Sequence, residues 1–292
     1  MTCENKLHWA EAIKTELAAF DRQKVFSFAW LPQGRKAISS KWVFKCKELA
    51  DGSIDKYKAR LTLKGFMQVP GLDFTETFSP VVKIESLRCL FTIAAINDHE
   101  LYHVDVTSAF LYGKLEETMF MKIPEGVDAD GQGDCVLLHK ALPGCKQSGR
   151  AWNHEISDFF QSEDFKAAPH DPCLYMRIRQ GRTVLVGVEV DDMAMSGTSE
   201  DLDELVTALS ARFEITIERE LKWFLNIAVA RNRARRTITL SQQRYVTNAL
   251  ARFEMANCKP AVTPANADPL LPATQETSIS DLPMREALGA LL

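Results

Sequence analysis

The stretch Val184-Leu185-Val186-Gly187-Val188-Glu189-Val190-Asp191-Asp192 is an apolar, largely β-branched run that closes on two adjacent carboxylates. Its composition predicts a buried strand, and the segment 172–179 predicts its hairpin partner across Gln180-Gly181-Arg182. A second apolar run, Leu101-Tyr102-His103-Val104, ends on Asp105. Carboxylates at the ends of buried strands repel one another unless a cation lies between them. Their oxygens are the preferred ligands of hard ions such as Mg²⁺. Three of them suit a two-ion clamp for phosphoryl transfer, although Asp191-Asp192 alone reads equally well as a polar turn.

Outward from these runs, helical spacing appears at Trp9, Ile13, Leu17 and Phe20, at Leu87, Leu90, Phe91 and Ala94, and at Leu202, Leu205, Val206, Leu209 and Phe213. A further helix is expected over 152–165. Strands are expected at about 41–47, 57–64, 101–107, 172–179, 183–190, 222–230 and 236–241, with a second hairpin turning at Arg231-Asn232-Arg233-Ala234-Arg235. From Ser86 the order is helix, strand, helix, strand, strand, helix, strand. Helices segregated from a largely antiparallel sheet predict an α+β fold of ferredoxin-like character, in which Asp105 and the Asp191-Asp192 turn lie on neighbouring strands. The stretch Thr263–Thr277, rich in Pro, Ala, Thr and Asp, reads as a linker.

The 292 residues, 46% of them hydrophobic, carry a net charge of −4, which suits a globular chain and argues against coating nucleic acid by overall charge. No run approaches the roughly 18 apolar residues of a membrane helix, and Met1–Lys6 lacks a signal-peptide core. No membrane association and an intracellular location are therefore the expectation. Seven cysteines without a C-x-x-C pair support neither a disulfide framework nor a zinc knuckle.

Several segments, in order, resemble the reverse transcriptase of Ty1/copia-type retrotransposons. They are Lys41-Trp42-Val43-Phe44-Lys45, Lys56-Tyr57-Lys58-Ala59-Arg60-Leu61 with Lys64-Gly65-Phe66, and Thr77-Phe78-Ser79-Pro80-Val81-Val82-Lys83. His103-Val104-Asp105-Val106-Thr107-Ser108-Ala109-Phe110-Leu111-Tyr112-Gly113, Lys146-Gln147-Ser148 with Arg150-Ala151-Trp152, and Val190-Asp191-Asp192 follow.

The resemblance implies a right-hand polymerase. Residues 1–85 and 117–150 would form the fingers, 86–116 and 151–230 a ferredoxin-like palm, and 231–292 a partial thumb with a linker toward a ribonuclease H region expected outside the chain. It implies RNA-directed DNA synthesis from deoxynucleoside triphosphates on an RNA or DNA template with a primer. Two Mg²⁺ ions, with Mn²⁺ an alternative, would be held by Asp105, Asp191 and Asp192. It further implies Phe110 beneath the nucleotide sugar, Gln147 against the nucleotide and template, and Arg60, then Lys64, on the triphosphate. Trp223, Phe224 and Leu225 would hold the primer end. A cytoplasmic, particle-associated location with nuclear entry open follows by the same resemblance.

The chain also departs from the pattern. Glu189 stands where an aromatic residue usually precedes Val-Asp-Asp, Pro143-Gly144 replaces Tyr-Gly, and Gly149 replaces Pro. Glycines expected near Arg219 and at Asn226 are absent, which predicts distortion of both turns. These changes set a second expectation beside the polymerase, a catalytically silent remnant that keeps the fold and binds primer–template. A metal-dependent nuclease shares only the acids.

Overall fold

The computed structural model describes residues 5–48, 53–263 and 283–291, so the expected linker lies outside them apart from its first residue. The chain forms two compact units, Met1–Leu221 and Lys222–Leu292. The first begins with α1 (Lys6–Gln23), β1 (Phe26–Ala29), β2 (Ser40–Glu48), β3 (Ile54–Leu63), α2 (Ile84–Asn97) and β4 (Glu100–Val106). It continues through β5 (Lys114–Lys122), β6 (Cys135–Lys140), α3 (Ser148–Ser162), β7 (Lys166–Ala168) and β8 (Asp171–Arg179). It ends with β9 (Arg182–Glu189), β10 (Asp192–Gly197), α4 (Ser199–Arg212) and β11 (Ile215–Glu218).

Six strands form one antiparallel sheet in the order β11-β4-β10-β9-β8-β7. Four adjacent strands of it, β11-β4-β10-β9, with α3 between β4 and β9 and α4 between β10 and β11, have the ferredoxin-like order fourth, first, third, second. The expected α+β class and the neighbouring placement of the acid-bearing strands are both present.

Strand alternation divides the sheet chemically. Val104, Val106, Val184, Val186, Val188, Met193 and Met195 pack with Trp152, Ile156, Phe159 and Phe160 of α3 and with Leu202, Leu205 and Leu209 of α4. The alternate positions, Asp105, Gly187, Glu189 and Asp192, belong to the opposite face. There α2 seats against the sheet, and a Cβ on Gly187 would lie 2.9 Å from Leu87 Cδ2, so glycine permits the close approach.

Elsewhere in this unit β1-β6-β5 form a three-stranded sheet and β2-β3 a hairpin, and both share a core with Phe20 of α1. Helix α1 is fixed on the hairpin by rings: His8 stacks on Tyr57 at 5.0 Å, and Trp9 meets Tyr57 and Phe44 edge-on.

Several local expectations need correction. Strands β1, β5, β6, β7, β10 and β11 were not among those expected; β1 and β11 are short and pair only with strands distant in sequence. Helix α3 starts at Ser148 rather than 152. In the second unit the single strand expected at 222–230 is two, β12 (Trp223–Phe224) and β13 (Ile227–Asn232), joined by Leu225-Asn226. Both turn residues have positive φ, +50° and +62°, which Asn tolerates better than most residues, so the turn forms without glycine. That unit continues with β14 (Thr237–Ser241), α5 (Gln243–Arg252) and α6 (Met284–Leu291). Expected domain limits at 116/117 and 230/231 fall inside β5 and β13. Among the described residues, no helix is long and apolar enough to cross a membrane.

Candidate active site

The hairpin between β9 and β10 turns on two residues, Val190 and Asp191, with Glu189 opposite Asp192. Asp192 is in turn opposite Asp105 on β4, so Glu189, Asp192 and Asp105 form one row across three adjacent strands. Asp191 is tied to the same place through its backbone, because the Val106 N–H donates to its carbonyl at 2.9 Å. Val190 takes φ +52°, a strained choice for a β-branched residue at the first turn position. Helix α3 stabilises that turn: the indole Nε1 of Trp152 donates to the Val190 carbonyl at 2.6 Å.

The electrostatics follow from the row. Burial, then Asp191 and Asp192, push the Asp105 carboxyl above the ordinary range. Burial, followed by the same two aspartates, raises Glu189. His103, also on β4, places Nε2 2.8 Å from Asp192 Oδ1, and that hydrogen bond is the main reason its pKa is raised. Among the described residues, no group of three His, Cys, Asp or Glu side chains is arranged as a metal cage. The donor set nevertheless fits a hard divalent ion, since it is all oxygen and its mutual repulsion is what such an ion relieves.

Beside the acids is a cavity of about 270 Å³ lined by Glu16, Arg60, Ser108, Ala109, Phe110, Leu111, Pro143, Val190 and Asp191. Phe110 sits in a short 3₁₀ turn, Ala109–Tyr112, directly after β4. On β3, Ala59, Leu61 and Leu63 are buried, which turns Lys58 and Arg60 to the other face as the even spacing predicts. Burial and neighbouring Arg60 lower the Lys58 pKa, while Asp105 acts in the opposite sense.

The structure therefore brings together Asp105, Asp191, Asp192, Arg60 and Phe110. Lys64 precedes the 3₁₀ turn Gly65–Met67 and does not line this cavity. Gln147 caps α3 and is 4% exposed. Its Nε2 donates to the Asp73 carbonyl at 2.9 Å and to Glu117, and its Oε1 accepts from Gln68 at 2.9 Å. It lines a different cavity, of about 620 Å³, with Arg150, His154 and several acids. Trp223, Phe224 and Leu225 belong to the second unit, with Trp223 beneath the Arg244 guanidinium. At Arg219, where a glycine was expected, the side chain pairs with Asp203 and covers the Tyr102 ring.

Sequence reasoning missed two site residues. His103 was legible in principle, because a side chain two positions before Asp105 on a strand shares its face. Glu16 was not: it is a polar residue of α1 with no local mark, brought to the cavity by packing of α1 on β3. There it accepts a long hydrogen bond from the Leu61 N–H, and burial raises its pKa.

Comparison with known proteins gives one family model, described as reverse transcriptase (RNA-dependent DNA polymerase), which matches residues 23–267. The Pol polyprotein of tobacco transposon TNT 1-94 is 35% identical over 97% of this chain and 22% of its own length. That of Arabidopsis thaliana transposon RE1 is 34% identical over 94% of this chain and 19% of its own. The chain thus spans about a fifth of these relatives. A solved foamy viral protease–reverse transcriptase in complex with double-stranded DNA aligns with a TM-score of 0.45 at 12% identity, covering 81% of this chain and 36% of that one.

Proposed function

This chain belongs to the Ty1/copia-type reverse transcriptase (RNA-dependent DNA polymerase) family, and we propose that it adds deoxynucleotides to a primer on an RNA or DNA template. The observation that carries the reading is the register of Asp192 against Asp105, with Asp191 bonded through its backbone to Val106 and lining the cavity that Arg60 and Phe110 share.

In this reading the six-stranded sheet is the palm, and the β2–β3 hairpin with the β1-β6-β5 sheet the fingers. The second unit would supply part of a thumb, with the Trp223-Phe224-Leu225 hairpin against the primer end. Asp105 and Asp191 would hold two Mg²⁺ ions, or Mn²⁺, and Asp192 completes the acidic group. Bound there, the ions supply a lowered pKa for the primer hydroxyl and charge for the leaving pyrophosphate. Arg60 offers the triphosphate a planar fork, and Lys58 on the same face adds a second positive charge. Phe110 forms the floor under the sugar, where a ring leaves no room for a 2′-hydroxyl. Lys64 and Gln147 remain candidates for contact with the nucleotide once it is bound.

Primer extension on poly(rA)/oligo(dT) with Mg²⁺ or Mn²⁺ tests the reading. Synthesis is expected, and Asp105→Asn should lower it by at least about a hundredfold. Duplex binding without synthesis would favour the silent remnant. Glu189 in the acid row is the observation favouring that second reading, because it adds a fourth carboxylate where burial already disfavours charge. Recovery of synthesis in Glu189→Tyr would locate the defect in that one side chain.

A further inference from the structure

We infer that His103 is a positioning residue for the metal-binding carboxylates: it holds Asp192 by one oxygen, with Glu218 of the neighbouring strand lying behind it. The inference rests on the polymerase reading of Asp192, and three features of the sheet support it.

His103 stands opposite Ala194 on β10 and opposite Glu218 on β11. Because Ala194 is small, the imidazole has room to lean diagonally toward Asp192, the next same-face residue on β10. The contact is short, 2.8 Å from Nε2 to Oδ1. A carboxylate offers only acceptors, so Nε2 carries the hydrogen.

The second ring nitrogen, Nδ1, lies 3.8 Å from Glu218 Oε2. The arrangement is a carboxylate–imidazole–carboxylate chain running across β11, β4 and β10. The His103 side chain is 19% exposed, against 64% for Glu218, so the sheet restrains the ring while the outer acid stays wet. Groups of this kind behind a metal ligand fix its orientation and raise metal affinity about 10- to 100-fold.

The consequence is specific to Asp192. With Oδ1 bonded to His103, the Asp192 carboxylate is held in one orientation, leaving Oδ2 and the remaining lone pair of Oδ1 for a cation. Losing His103 would free the Asp192 carboxylate to rotate.

The test compares the full 292-residue chain with His103→Leu, His103→Gln and Glu218→Gln. Mn²⁺ affinity is read from loss of the free-ion electron paramagnetic resonance signal, alongside extension kinetics and circular dichroism. His103→Leu is expected to weaken Mn²⁺ binding about tenfold or more and to raise the half-saturating metal concentration equally, with the KM for dTTP unmoved. His103→Gln, whose amide still donates, should recover most of that loss, and Glu218→Gln should show a smaller weakening. Unchanged Mn²⁺ affinity in a folded His103→Leu, or a His103→Gln no better than it, overturns the inference. Should His103→Leu fail to fold, Glu218→Gln decides, and affinity equal to the parent's overturns it. A parent chain that binds no Mn²⁺ and extends no primer would remove the polymerase reading as well, an outcome distinct from a parent that binds and a variant that matches it.

Discussion

Replacing Glu189 by glutamine is expected to stabilise the metal-free chain at neutral pH. Burial and the two neighbouring aspartates lift this carboxyl above its ordinary 4.5, so its ionised form costs folding energy wherever the native group is charged. The gain from Glu189→Gln should therefore be full above the raised native pKa and shrink as pH falls toward 4.5, where the parent's own carboxyl is protonated. Thermal melts in EDTA at about pH 7.5 and about pH 5 read it; a gain that grows on acidification would contradict the assignment. Gln147→Ala is expected to cost about 1–3 kcal/mol in denaturant melts, because the Gln68 amide and the Asp73 carbonyl lose a buried partner. An unchanged midpoint with a raised KM for nucleotide would instead make Gln147 a ligand contact. The aspartates were legible through the ordered motifs around them, since Asp at a strand end reads equally well as a polar turn. The burial of Gln147 was not, since its partners come from two distant segments, the loop holding Gln68 and Asp73 and strand β5 with Glu117.

Helix α1 reaches the cavity beside the acids through Glu16, which brings a carboxylate to the pocket where Arg60 would meet phosphate in the proposed reading. Glu16→Gln keeps an acceptor for the Leu61 N–H and removes the repulsion. The KM for deoxynucleotide is expected to fall about fivefold, equivalent to roughly 1 kcal/mol, with kcat kept. A KM equal to the parent's would place Glu16 outside the nucleotide's path. The helices α1, α2 and α4 were visible as apolar stripes because a helical period is local. Strands β1 and β11 were not, since a short strand owes its stability to partners elsewhere in the chain. The β12–β13 turn was expected only through the resemblance: Leu225 and Asn226 carry no turn-forming glycine, yet both take positive φ.

Every pairing of the acid-bearing sheet lies within Met1–Leu221. A fragment ending at Leu221 is therefore expected to fold cooperatively and retain Mn²⁺ binding, read by circular dichroism and paramagnetic resonance; a fragment without a sharp melting transition would show that Lys222–Leu292 is needed for the fold. Motif order, strand composition and the three aspartates were enough to reach the α+β class, the family and the acids, because each is written in contiguous residues. The row Glu189–Asp192–Asp105, the His103 bond to Asp192 and the arrival of Glu16 at the cavity had to await the folded chain. Those contacts are set by sheet register and helix docking, which bring together segments far apart along the backbone and leave no local pattern behind.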